Sequence, residues 1–260
     1  MSSVLILAAI AGLADFLGAL LALFPLRYSG RALLLLIGMS GGYLVTWSVA
    51  ELIPMLIQES PGLVLWVLAG YFGLYIFENI FSHRAHPGVA EHHAHALVDS
   101  WTGHAESISK SASWAAVSGL FVHAFFDGAA IAASFAINPS VATMVCFAVL
   151  LHKLPEGSSL TSILGAAGGS NRVILSAAAV SGFLTFGGGV VAWFIGMKDP
   201  GWSYALLGLS AGTFLFIGAS NLIPSTEKSG SPWAICSVLS GVLIFFGVRM
   251  FFYTVGMYPN

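Results

Sequence analysis

The chain has 260 residues, of which 57 % are hydrophobic and only 8 % charged, with a mean hydropathy of +0.89. A soluble domain carries about 25 % charged residues, so a soluble enzyme, a DNA-binding module and a disordered scaffold are excluded. A net charge of −2 and a pI near 6.4 leave no basic footprint for nucleic acid. The composition specifies an all-α integral membrane protein in contact with the lipid bilayer.

In chain order, apolar runs fall at 3–25, 32–57, 62–82, 114–136, 139–164, 172–196, 201–223 and 232–256. Each is long enough to cross a ~30 Å hydrocarbon core as a helix. Stretches such as Ala32–Gly38 do not alternate, which excludes a β-barrel. The eight spans form one transmembrane transport domain over residues 1–260. Met1-Ser2-Ser3-Val4 lacks a basic leader, so the first run is expected to be retained. Cys146 and Cys236 sit in apolar runs and read as small core residues. The aromatic-rich stretches read as lipid-facing and belt positions.

Loops after spans 1, 3, 5 and 7 hold Arg27, Arg31, Arg84, Lys110, Arg172 and Lys228, whereas the opposite side holds only Lys198. The positive-inside rule then puts both termini outside and the long 83–113 loop in the cytoplasm, with the plasma (inner) membrane as the expected location. Residues 11–24 match 181–194 at Gly12/Gly182, Phe16/Phe186, Gly18/Gly188, Ala22/Ala192 and Phe24/Phe194. The same shift of 170 aligns Ser40 with Ser210, Gly42 with Gly212 and Leu52-Ile53-Pro54 with Leu222-Ile223-Pro224. Five spans separate each pair, so the halves run in opposite directions. This predicts a 3+2+3 inverted-repeat transporter with its site at the midplane.

The two central spans carry the chemistry. Span 4 reads His123-Ala-Phe-Phe-Asp127-Gly128 and span 5 reads His152-Lys-Leu-Pro155-Glu156-Gly157, both fitting H-x-x-x-[DE]-G. A spacing of four puts imidazole and carboxylate on one helical face. All four groups are expected at the same depth, where an ionised side chain costs ~2.5–3.5 kcal/mol on insertion scales. A divalent cation offsets that cost, and two imidazoles with two carboxylates suit zinc. Pro155 is expected to free the Leu151 carbonyl inside the site, and Gly128 and Gly157 to let spans 4 and 5 approach closely. A single buried His–Asp pair is more often a structural hydrogen bond; two at one depth favour a metal.

These paired motifs resemble the fourth- and fifth-helix signatures of the ZIP (Zrt/Irt-like) metal transporters. Eight spans, outside termini and a His-rich cytoplasmic loop after span 3 are similar to that family too. The resemblance implies uptake of Zn²⁺, or of Fe²⁺, Mn²⁺, Cd²⁺ or Co²⁺, into the cytoplasm by alternating access, with no resident cofactor and no enzymatic activity. It implies His123, Asp127, His152 and Glu156 as ligands; assembly as a homodimer stays open. Many bacterial relatives place second-metal ligands where this chain has Ala124, Lys153 and Thr185, although some branches of the family also carry Lys after the span-5 His. The resemblance therefore implies a one-metal site here. Lys153 is expected to pair with a carboxylate of the first site when the metal leaves, or else with Asp15 or a lipid phosphate.

Other features are accessory. His83, His86, His92, His93, His95 and His104 make the 83–113 loop either a metal-receiving segment or a plain polar loop. Glu51 in the outer half of span 2 and its repeat partner Asn221 in span 7 are either polar stations at the two mouths of the path or, for Glu51, a snorkelling anchor. Asp15, aligned with Thr185, reads as a hydrogen bond to a neighbouring helix, and Glu78 and Arg249 as interfacial anchors. No ATP-binding P-loop is present, so a gradient drives transport. Two other classes stay open: a proton-coupled transporter of a small organic solute, and a membrane metalloenzyme or haem protein, although no HExxH is found.

Overall fold

The computed structural model describes residues 2–23, 30–85, 110–196, 199–228, 231–254 and 256, and among these there is no strand. Span 1 is Ser2–Leu23. Span 2 runs Gly30–Trp47, widens into a π-helical turn at Ser48–Leu52 and continues as Ile53–Glu59. Span 3 is Val64–Ala85, span 4 Lys110–Ile137, span 5 Pro139–Ala166 and span 6 Asn171–Gly196. Span 7 repeats the pattern of span 2, with Pro200–Phe216, a π turn at Ile217–Leu222 and Ile223–Lys228. Span 8 is Ala234–Thr254.

Seven of these are long and apolar enough to cross a membrane. The eighth, span 5, is equally long but holds His152, Lys153, Pro155, Glu156 and a run of serines, which lowers its hydropathy. Spans 4 and 5 have 28 residues each, about 42 Å of helix, and so overshoot a ~30 Å core. Nothing in Lys110-Ser-Ala-Ser-Trp114 stops a helix, and the expected 83–113 loop accordingly narrows, with helix as far as Ala85 and again from Lys110. His86, His92, His93, His95 and His104 lie outside the described residues, and of His83 only the backbone is described.

The helices close on glycine. A Cβ on Gly128 would overlap the Thr185 carbonyl, and one on Gly188 that of Phe125, so spans 4 and 6 touch backbone to backbone. Gly157 meets the Asp15 carbonyl and Gly18 that of Leu154, which joins spans 5 and 1 in the same way. Gly42 against Val238 and Gly241 against Met39 join spans 2 and 8; Gly212 against Val67 and Gly70 against Leu209 join spans 7 and 3. Gly12 and Gly182 face each other. Apolar helices have little hydrophobic drive to associate in lipid, so close backbone approach supplies the dispersion contacts instead. The expectation that Gly128 and Gly157 bring spans 4 and 5 together is corrected: each lies one residue, about 100° of helix, past its carboxylate and faces an outer neighbour.

Both π turns precede a proline, Pro54 and Pro224, which lacks an N–H for the helical ladder. A wide turn moves the preceding carbonyl clear of the ring. Aromatic placement also differs from a simple lipid belt. Tyr43, Trp47 and Phe245 are wholly buried, Phe214 likewise, and the first three stack against one another with Phe147. Cys146 is buried as expected, but Cys236 is exposed on the lipid-facing side of span 8.

The glycine seams give a paired test. Gly128→Ala forces the span 4–span 6 backbones apart and should cost roughly 1–3 kcal/mol, the range for overpacking. Gly73→Ala, whose Cβ meets nothing within 4 Å, should be neutral or slightly stabilising. Thermal unfolding of purified protein followed by size-exclusion chromatography compares them; equal melting temperatures would contradict the seam.

Candidate metal centre

His123 and Asp127 lie one turn apart on span 4, and His152 and Glu156 one turn apart on span 5; all four are buried. One donor atom from each falls within 4.8 Å of all the others. His152 Nδ1 donates to the Ala148 carbonyl at 2.9 Å, a bond only a protonated Nδ1 can make. In the neutral ring this leaves the Nε2 lone pair aimed into the cluster, the usual way a second partner orients a ligating imidazole.

Distances decide what the group can hold. His123 Nε2 and His152 Nε2 are 3.3 Å apart, His152 Nε2 to Asp127 Oδ2 is 3.2 Å, and His123 Nε2 to Asp127 Oδ1 is 3.4 Å. Four ligands at ~2.0–2.1 Å around a tetrahedral zinc stand about 3.3 Å apart. Each of these pairs is near that length, with Asp127 meeting His152 through Oδ2 and His123 through Oδ1. Glu156 Oε2 is farther, at 4.0 Å from His123 and 3.9 Å from His152, because Lys153 Nζ holds it at 2.7 Å. Lys153 Nζ also sits 2.8 Å from Asp127 Oδ2 and 3.8 Å from Asp15 Oδ2, so pairing with the site's own carboxylates is its main contact.

The walls are polar on one side and aromatic on the other. Phe214 presents its ring edge-on to both imidazoles, at centroid distances of 6.0 and 5.8 Å. A cavity leads from His123, His152 and Glu156 past Ser159 to Asn221 and Ser225, toward the ends of the helices at 110, 166 and 228. The Leu151 carbonyl released by Pro155 is not free as expected; Ser40 Oγ donates to it at 3.1 Å. A carbonyl buried beside charge does not go unpartnered when a hydroxyl is in reach.

The accessory residues scatter. Asp15 and Thr185 are wholly buried, but Thr185 Oγ1 donates to Ser181 O at 3.2 Å and faces no ligand. Glu51, in the π turn of span 2, pairs with Arg249 Nε of span 8 at 3.5 Å. Asn221, in the π turn of span 7, donates to Glu78 Oε1 of span 3 at 3.3 Å. Glu78 and Arg249 thus serve as interhelical partners. Sequence reasoning noted Ser40 only as the match of Ser210 and missed Phe214, since a lone Ser or Phe in an apolar run carries no signal of what it faces.

A profile of the family described as "ZIP Zinc transporter" matches residues 1–253. The chain belongs to the ZIP zinc transporter family. Proteins named zinc transporter ZupT, from Shigella flexneri and from Escherichia coli K12 / DH10B, are 30 % identical to it over 237 residues, covering 88 % of this chain and 88 % of each relative. This ZIP protein is accordingly a multi-pass membrane protein whose family is one of transporters.

The Ser40 bond is testable in this ZIP chain. Ser40→Ala strands a buried carbonyl and should destabilise by about 1–3 kcal/mol. Restoring the missing N–H with Pro155→Ala should recover much of that loss, since Leu151 O regains its helical donor. A double-mutant cycle in thermal unfolding measures the coupling. Equal cost of Ser40→Ala in both backgrounds would refute it.

Proposed function

We propose that this protein moves a divalent cation, Zn²⁺ in the first instance, across the membrane into the cytoplasm, holding it midway on His123, Asp127, His152 and Glu156. The observation that carries the reading is two imidazoles and two carboxylates gathered, with donor atoms within 4.8 Å of one another, on two long helices inside the bilayer. Imidazole and carboxylate together suit Zn²⁺ and also accept Fe²⁺, Mn²⁺, Cd²⁺ or Co²⁺.

The path runs from the cluster through the cavity lined by Ser159, Asn221 and Ser225 to the side where span 4 begins at Lys110, the cytoplasmic side if both termini lie outside. Tight packing around Phe214, Tyr43 and Trp47 closes the opposite side. Alternating access then exchanges the open and closed sides, driven by a gradient.

Inverted halves supply a means for this exchange. Their support lies in paired contacts. The seam of spans 4 and 6 maps onto that of spans 5 and 1 when span 4 is shifted by 29 (His123 to His152) and span 6 by 170 (Asp15 to Thr185). Shifts of 170 (Glu51 to Asn221) and 171 (Glu78 to Arg249) likewise carry the Glu51–Arg249 pair onto Asn221–Glu78. A rearrangement that opens one side of such an assembly has a counterpart on the other.

Replacing His123, Asp127, His152 or Glu156 singly by Ala should each abolish most metal uptake into proteoliposomes, because three remaining ligands hold the ion loosely and leave buried charge less compensated. Zinc content of the purified variants, measured by elemental analysis, should fall in parallel. Full uptake by His152→Ala and Glu156→Ala would remove the basis for the assignment.

A further inference from the structure

We propose that Lys153 is a tethered cation that occupies the site's carboxylates in turn with the cargo, and that Asp15 is the carboxylate that receives it when the cargo binds. This rests on His123, Asp127, His152 and Glu156 being the ligands.

Lys153 is wholly buried, and its Nζ lies 2.7 Å from Glu156 Oε2 and 2.8 Å from Asp127 Oδ2. Both oxygens also face an imidazole: Asp127 Oδ2 is 3.2 Å and Glu156 Oε2 3.9 Å from His152 Nε2, while Asp127 Oδ1 is 3.4 Å from His123 Nε2. Ammonium and cargo therefore draw on the same two carboxylates. A divalent ion there would stand within a few ångströms of a fixed positive charge in a low-dielectric setting, where repulsion is far stronger than in water. The ammonium has to withdraw for the ion to be held well.

Its destination is already in place. Asp15, on span 1, is wholly buried, with the Ser181 hydroxyl and the Lys153 ammonium beside its carboxylate and neither held in a close hydrogen bond. A buried carboxylate held by one long ion pair is costly and needs a reason. Lys153 Nζ is 3.8 Å from Asp15 Oδ2, so a movement of about 1 Å of a flexible four-carbon stem brings it to hydrogen-bond distance. The Gly157–Asp15 backbone contact fixes how near span 1 stands, and so keeps Asp15 within reach of Lys153.

Charge balance also sets the stoichiometry. Asp15, Asp127 and Glu156 contribute three negative charges and Lys153 one positive, so one divalent ion brings the buried cluster to neutrality. A second would leave two uncompensated positive charges in the membrane interior, which is costly. Ala124 offers no donor, and the Thr185 hydroxyl is committed to Ser181 O. The site therefore carries one ion per cycle. When the ion departs, Lys153 returns to Asp127 and Glu156, so the two ligand carboxylates are not left bare in the bilayer while the carrier resets.

Crystals of the unmutated protein soaked in Cd²⁺ test this directly by anomalous diffraction. The expected result is a single peak among the four ligand atoms, with Lys153 Nζ within hydrogen-bond distance of Asp15 and withdrawn from Asp127 Oδ2. Two peaks, or an ammonium still on Asp127 and Glu156 beside the ion, would overturn the proposal; no peak among the ligands would overturn the site assignment instead. In calorimetric titration with Zn²⁺, Asp15→Asn should bind at least about tenfold more weakly, because Lys153 stays on the ligands. Adding Lys153→Met to Asp15→Asn should restore affinity, since competitor and receiver are then both gone. Native affinity in Asp15→Asn, alongside lost binding in His152→Ala, would refute the role of Asp15 while leaving the site intact.

Discussion

Charge in the bilayer interior is the constraint on which this fold turns. Asp15, Asp127, Lys153 and Glu156 are buried with His123 and His152 among helices that otherwise read as hydrocarbon. Ionised groups at that depth persist only when they compensate one another at short range. Short range requires helices 1, 4, 5 and 6 to approach more closely than ordinary side chains allow. Glycine at 18, 128, 157 and 188 provides that approach, and the electrostatics and the packing are two aspects of one requirement.

Much of this was legible in the sequence, and the boundary has physical causes. Hydropathy marks spans because membrane insertion depends on a sum over some twenty residues, which tolerates local error. Span 5 shows the limit, since its polar load drops it below the other seven although it packs as a full-length helix. The H-x-x-x-[DE]-G motifs were readable because helical periodicity alone puts positions 123 and 127, or 152 and 156, on one face. Which face the following glycine takes depends on neighbours, and there the expectation for Gly128 and Gly157 failed. The role of Ser40 was hidden for the same reason: its value lies in a carbonyl 111 positions away that a proline has released.

Lys153 lies between these cases. Its neighbourhood to His152 is in the sequence, but its reach to Asp15 on span 1 is a tertiary fact. Glu51 and Asn221 were linked by the shift of 170, yet their partners Arg249 and Glu78 come from spans 8 and 3. A match within a sequence sets two residues side by side; only the packed helices show what each of them holds.

The two π turns carry a consequence of another kind. A π turn holds one residue more than the α-helical ladder uses, so it is slack stored within an otherwise rigid rod. Hydrogen bonds on either side can re-register one at a time, and the bulge then travels along the helix without the ladder ever coming apart. Each step swings one side chain relative to the rest of the span. In spans 2 and 7 the residues seated in that slack include Glu51 and Asn221, each tied to an outer helix. A helix inside a bilayer cannot afford to break, and stored slack of this sort allows it to bend and turn while every backbone group stays paired.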